Sequence, residues 1–172
     1  MFIAMWKAAL AILLALLTAC NVQEQEMSIS LKSPAFENNG YIPDRYTCKG
    51  MDISPPLIIH DIPAGTKTMA LIVEDPDAPM GTWVHWIAWN IPVISEIKEG
   101  KLPDGSMEGL NDFERTKYGG PCPPSGVHHY LFKLYALDIT LDLGQNSRKS
   151  DVEDIIQDHV IEKAELIGLY KR

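Results

Sequence analysis

Glycine- and proline-bearing turns cut the chain beyond residue 27 into short apolar runs, and this punctuation excludes most folds. Turns are expected at Asn38-Asn39-Gly40, Ser54-Pro55-Pro56, Pro63-Ala64-Gly65, Pro103-Asp104-Gly105 and across residues 119–126. At such places Gly supplies a positive φ and Pro presets its own φ. Between them, residues 27–31, 57–62, 69–73, 84–91 and 130–137 read as strands. The 69–73 run is apolar without a break, which predicts burial on both faces. Short strands between tight turns fit a sandwich or barrel, not repeated βαβ units.

One helix is expected near the C-terminus. Ser150-Asp151-Val152-Glu153 has the form of a capping box, with Ser150 as cap and Glu153 reaching back to it. Val152, Ile155, Ile156 and Val160 would then share a face at helical spacing. Residues 164–170 can extend that helix or form a last strand, and Gly168 and Tyr170 favour the strand.

The N-terminus differs from the rest. Lys7 is the only charged residue before Cys20, and residues 8–17 are an unbroken apolar run. That run is too short for a spanning helix, which needs about 20 residues, and suits the apolar region of a signal peptide. It ends in Leu17-Thr18-Ala19-Cys20, which resembles a bacterial lipobox. The resemblance implies a signal peptide over residues 1–19, acyl chains on Cys20, a polar tether over residues 20–26, and one domain over residues 27–172. Two or more acyl chains hold a protein firmly to a bilayer. Anchorage through Cys20 would place the domain in the periplasm, and Asn21 after the lipid-bearing cysteine resembles an outer-membrane address. Without residues 1–19 the chain has 153 residues, the size of one domain, with 14 basic and 23 acidic side chains and a net charge of −9. Such a surface argues against nucleic acid as a partner. Export also exposes Cys48 and Cys122 to an oxidising compartment. They can pair as a disulfide or remain two buried thiols; their spacing does not decide.

Three polar features stand out. Asp75-Pro76-Asp77-Ala78-Pro79 follows the most apolar run and stiffens two carboxylates between prolines. In Trp83-Val84-His85-Trp86, Trp83 and His85 share a strand face. In the stretch from Tyr118 to Tyr130, a Gly/Pro loop runs into a strand on which His128 and Tyr130 face one way and His129 the other. Donors on two imidazoles, a phenol and the amides of a glycine-rich loop suit an anion. A neighbouring Asp75 or Asp77 can fix an imidazole tautomer and favour its charged form. An Asp-Pro turn or a single histidine is ordinarily only structural, so the weight rests on the three features meeting.

These blocks, together with Asn90-Ile91-Pro92, Asp52-Ile53-Ser54-Pro55-Pro56-Leu57 and Leu134-Tyr135-Ala136-Leu137-Asp138, resemble the phosphatidylethanolamine-binding protein family. The likeness is to its bacterial YbhB/YbcL branch, often called Raf kinase inhibitor-like, and runs from about Met27 to the C-terminus. It implies a mostly β fold: a sandwich of two sheets with one or two peripheral helices. It also implies a small anion-binding cavity lined by Asp75, His85, Gly120, Pro121, His128 and Tyr130, with Asp77 and Trp83 beside it. Arginine is common in the family where His129 stands here.

The leading expectation is therefore a binding protein, not an enzyme and without a cofactor, that takes a phosphate-like small molecule or lipid head group. A protein partner, such as a kinase or hydrolase held inhibited, is the alternative. A hydrolase would need Cys122 or Ser125 as a nucleophile beside His128, yet the chain has no Gly-x-Ser-x-Gly elbow. A metal site from Asp75, Asp77, His85, His128 and His129 would lack the usual ligand spacing.

Overall fold

A computed structural model describes residues 28–172. The signal at residues 1–19, Cys20, the tether at residues 20–26 and Met27 lie outside the described residues. In chain order the elements are β1 (Ser30–Lys32), β2 (Gly40–Tyr41), β3 (Leu57–His60), β4 (Thr68–Asp75), β5 (Trp83–Ile91), β6 (Glu96–Ile97), β7 (Met107–Glu108), β8 (Val127–Leu137), α1 (Lys149–Ile156) and β9 (Val160–Lys171). A single turn of 3-10 helix spans Asp44–Tyr46. The strands form two sheets, one ordered β1-β3-β6 and the other β2-β9-β8-β4-β5-β7. The mostly β, two-sheet expectation is met.

Every residue of β4 is buried, as its unbroken apolar run requires. Successive side chains of a strand point to opposite faces. Met69, Leu71 and Val73 accordingly join the inner core with Leu57, Ile59 and Ile97 of the small sheet. Ala70 and Ile72 turn the other way, onto Leu141, Val152 and Ile156. β4 thus lies between β8 and β5, with the small sheet over one face and α1 over the other. Among the described residues, no helix is long and apolar enough to cross a membrane.

The helix cap lies two residues before the expected one. The Asp151 carboxylate accepts the Arg148 N–H at 2.8 Å, so Arg148 is the cap and Ser150 is already helical. Glu153 lies 3.6 Å from Lys149, one turn back on the same helix, instead of closing a box with Ser150. Val160 belongs to β9, not α1. Residues 164–170 are strand, and β9 extends well beyond them at its N-terminal end because it pairs with nearly all of β8.

Candidate functional site

β4 ends, and β5 and β8 begin, at the same end of the large sheet. Asp75 is the last residue of β4 and sits opposite Trp83, the first residue of β5. Next along this ladder Glu74 pairs with Val84, but Val73 pairs with Trp86. His85 is the extra residue, a bulge of the kind that re-aims one side chain. On β8 the alternation turns His128 and Tyr130 inward and His129 outward. Asp75, His85 and His128 thereby reach one cavity of about 350 Å³.

Three hydrogen bonds set the polar wall. The Nδ1–H of His128 donates to Asp75 Oδ2 at 2.7 Å. Asp75 Oδ1 accepts the Asp77 N–H at 2.9 Å, so the carboxylate is held from both sides. The Nδ1–H of His85 donates to the Gly119 carbonyl at 2.6 Å. Relative exposures of 4%, 3% and 7% for Asp75, His85 and His128 put all three out of bulk water. Burial pushes the His85 ring below its ordinary value and outweighs the Gly119 carbonyl and the more distant Asp75, Asp112 and Asp52 carboxylates. With Nδ1 committed on both rings, Nε2 is the nitrogen each has left for a ligand.

The remaining wall is apolar. Trp83 and Phe113 meet edge to face at 5.4 Å, and Phe113 meets His85 in the same way at 5.2 Å. Pro123 and Pro124 close another side, and Ala78, Pro79 and Met80 form a lip at which Met80 is 93% exposed. The mouth is therefore open and greasy, and the floor is polar.

The loop that carries Phe113 and Gly119 is fixed by buried Asn111. Its Nδ2 donates to the carbonyls of His85 (2.9 Å) and Lys117 (2.7 Å), and its Oδ1 accepts the N–H groups of Phe113 (3.0 Å) and Arg115 (3.1 Å). Residues 118–122 are stitched to residues 44–52. Tyr118 donates to the Tyr46 carbonyl at 3.0 Å, Cys48 N–H donates to the Pro121 carbonyl at 3.1 Å, and a disulfide joins Cys48 to Cys122 with Cα atoms 5.5 Å apart. Gly120 sits so close beneath this strap that a Cβ would lie 2.5 Å from the Tyr46 carbonyl oxygen.

Not every residue expected at the cavity lines it. The Gly120 amide donates to Asp52 Oδ1 at 2.6 Å, and Pro121 offers its carbonyl to Cys48, so both form the wall from behind and supply no donor to the opening. Tyr130 is also behind, its ring edge-on to His85 at 5.1 Å. Its hydroxyl lies toward Asp75 and the Cys122 amide but makes no hydrogen bond within ordinary limits. Burial and the Asp75 carboxylate push this phenol far up, so it stays protonated. Trp83 is on the lining, with its indole N–H buried and unpartnered among the described residues. Asp77 is not: it accepts the His129 N–H at 2.8 Å and His129 Nδ1–H at 2.7 Å on the exposed side. His129 hydrogen bonds, ring first, hold the Asp77 carboxyl below its ordinary value.

Of the five residues that a metal site would draw on, Asp75 pairs with His128, Asp77 pairs separately with His129, and His85 bonds the Gly119 carbonyl; among the described residues no three His, Cys, Asp or Glu side chains form a metal-binding group. Cys122 carries no free thiol, and Ser125 is exposed and off the lining. Phe113, Pro123, Pro124 and Met80 were not singled out from the sequence. Phe113 lies in no recognisable motif, and only the Asn111-centred loop brings it to the site. A larger depression of about 530 Å³ lies by β2 and the C-terminal residues. Its Asp44 and Tyr170 bond each other at 2.7 Å.

The family model described as phosphatidylethanolamine-binding protein matches residues 32–171. A UPF0098 protein of Methanothermobacter thermautotrophicus is 51% identical over 150 residues, covering 84% of this chain and 99% of its own. The UPF0098 protein PH1269 of Pyrococcus horikoshii is 49% identical over 158 residues, covering 87% of this chain and 79% of its own. Among solved structures, the phosphatidylethanolamine-binding protein homologue CT736 of Chlamydia trachomatis superposes with a TM-score of 0.81 at 39% identity, covering 84% of this chain and 98% of its own. YbcL of E. coli, described as a member of the mammalian PEBP family, gives 0.80 at 31% identity, covering 85% and 99%.

Proposed function

Since this chain belongs to the phosphatidylethanolamine-binding protein family, we propose that its cavity binds a phosphate-like anion without chemical turnover, in a domain held to a membrane through a lipidated Cys20. The observation that carries the reading is the convergence of His85 and His128 on one cavity, each with Nδ1 occupied and Nε2 left over. The chain is acidic, with a formal net charge of −8, so its overall field repels anions. Affinity for one must come from local donors, and His128 backed by Asp75 is the strongest candidate. The apolar lip of Pro79, Met80 and Trp83 then meets whatever group carries the anion. Among the described residues the lining carries neither a free thiol nor a serine or threonine hydroxyl, which favours binding over the hydrolase reading.

Titration calorimetry with inorganic phosphate tests the reading. Saturable binding that His128→Ala abolishes, in a variant that still unfolds cooperatively, supports it. Affinity unchanged in that variant overturns it. Mass spectrometry of the N-terminal peptide from membrane-extracted protein tests the anchor: acylated Cys20 is expected, and an unprocessed Met1 terminus contradicts it.

A further inference from the structure

From the hydrogen bonds that fix the two imidazoles, we infer that the cavity selects an anion that still carries an acidic hydrogen, a phosphate or phosphate monoester as its monoanion, and discriminates against a fully deprotonated one. This inference rests on the anion-binding reading and gives the ligand's protonation state.

A carbonyl oxygen only accepts, so the bond from His85 Nδ1 to Gly119 places a hydrogen on Nδ1. In the neutral ring Nε2 then carries a lone pair and accepts. Burial outweighs the Asp75, Asp112 and Asp52 carboxylates, which favour a second hydrogen on His85. The residue is 3% exposed, and Phe113 and Tyr130 pack edge-on against its ring. The charged groups facing it from the packed elements are all engaged elsewhere. Asp75 of β4 binds His128, Asp112 accepts the Val84 N–H, and Asp52 accepts the Gly120 N–H. Burial keeps the ring neutral, in agreement with its lowered value.

His128 differs in one respect. Its Nδ1–H meets a carboxylate, so a positive charge on its ring has a counter-ion at 2.7 Å. One wall of the cavity therefore offers an acceptor at His85 Nε2, and on another His128 Nε2 can carry a hydrogen with the Asp75 carboxylate behind its ring. A group with P–O⁻ and P–OH oxygens satisfies both. Sulfate matches phosphate in shape but has no hydrogen at neutral pH, and would set an oxyanion against the His85 lone pair. A site built around a hydrogen bond rejects the analogue that cannot make it more strongly than shape alone would.

Calorimetry on the intact protein compares inorganic phosphate with sulfate at pH 6, then phenyl phosphate with a phosphonate, whose second ionisation lies higher, between pH 5 and 8. Phosphate is expected to bind at least about tenfold more tightly than sulfate. Affinity for phenyl phosphate is expected to fall as the ligand loses its second proton, near about pH 6, and the fall is expected at higher pH for the phosphonate. His85→Gln, whose amide can donate as well as accept, is expected to raise the affinity for sulfate relative to phosphate. Equal affinities for the two anions overturn the inference while leaving anion binding intact. So does a fall at one pH for both organic ligands, which assigns the proton to the protein. Binding of neither anion overturns this inference and the reading beneath it together.

Discussion

Nδ1 of His128 lies 2.7 Å from Oδ2 of Asp75, and the two residues are only 7% and 4% exposed. A second carboxylate two residues later, Asp77, makes a pair of the same length with His129, but on the exposed surface. Two His–Asp pairs thus lie back to back across β8, one toward the cavity and one toward solvent.

Their environments predict different consequences. Asp75→Asn removes the counter-ion behind the ligand-facing ring, and phosphate affinity is expected to fall by about ten- to a hundredfold, the effect of losing a buried charge-assisted hydrogen bond. Asp77→Asn removes an exposed pair and is expected to change affinity less than about threefold. Parallel titrations of the two variants check the contrast, and equal losses would contradict it.

The Cys48–Cys122 disulfide closes a loop across a sequence separation of 74. A crosslink of that span stabilises by about 2–4 kcal/mol, chiefly through the unfolded chain. Scanning calorimetry of Cys48→Ser/Cys122→Ser is expected to show a Tm lower by roughly 5–15 °C. The three hydrogen bonds at Tyr118, Gly120 and Cys48 remain, so the double variant is expected to fold and to keep its cavity.

Glu74, one residue before Asp75, is a buried carboxylate held by Lys133 and Lys149. Burial pushes its carboxyl up, but the two lysines, chiefly through their hydrogen bonds, outweigh it and hold the group below its ordinary value. A carboxyl lowered by folding stabilises fully above its unfolded value, and the contribution disappears as pH falls through the folded value. Glu74→Gln is expected to cost about 2–3 kcal/mol at pH 7, toward the low end for a broken buried pair because both lysines reach solvent. Denaturant unfolding from pH 7 to 3 should show that gap closing in acid. A gap that stays constant would contradict the assignment.

Asn111 is fully buried and makes four hydrogen bonds, one of them to the carbonyl of His85. Asn111→Ala is expected to lower stability by about 2–4 kcal/mol. It is also expected to weaken phosphate binding without touching the cavity directly, because Phe113 and Gly119 lose their common support. Loss of stability with unchanged affinity would mean that the loop is not what positions His85.

Much of this arrangement was legible in residue order, for physical reasons. The unbroken run at 69–73 marks the most enclosed strand because only a doubly covered strand can dispense with polar residues. The parity of 128, 129 and 130 separates an inward histidine from an outward one because strand side chains alternate. Strand alternation alone could not show that His85 occupies a bulge, since a register shift depends on the partner strand. Nor could it show that the glycine-loop amides turn toward His85 and Asp52 instead of the opening. The helix start shifted for a similar reason: Asp151 caps the Arg148 N–H instead of Glu153 closing on Ser150, and Arg148 is itself bonded to Glu114, a tertiary contact that residue order does not show. Phe113 was invisible because a lone aromatic in a polar loop has no period to betray it.

Side-chain ¹⁵N–¹H NMR of the histidines during a phosphate titration bears most directly on the central claim. The account predicts that phosphate moves the Nε2 resonances of His85 and His128 together, that Nδ1 of both rings stays protonated throughout, and that His129 is unmoved. Phosphate that shifts His129 while leaving His85 and His128 where they were would contradict it.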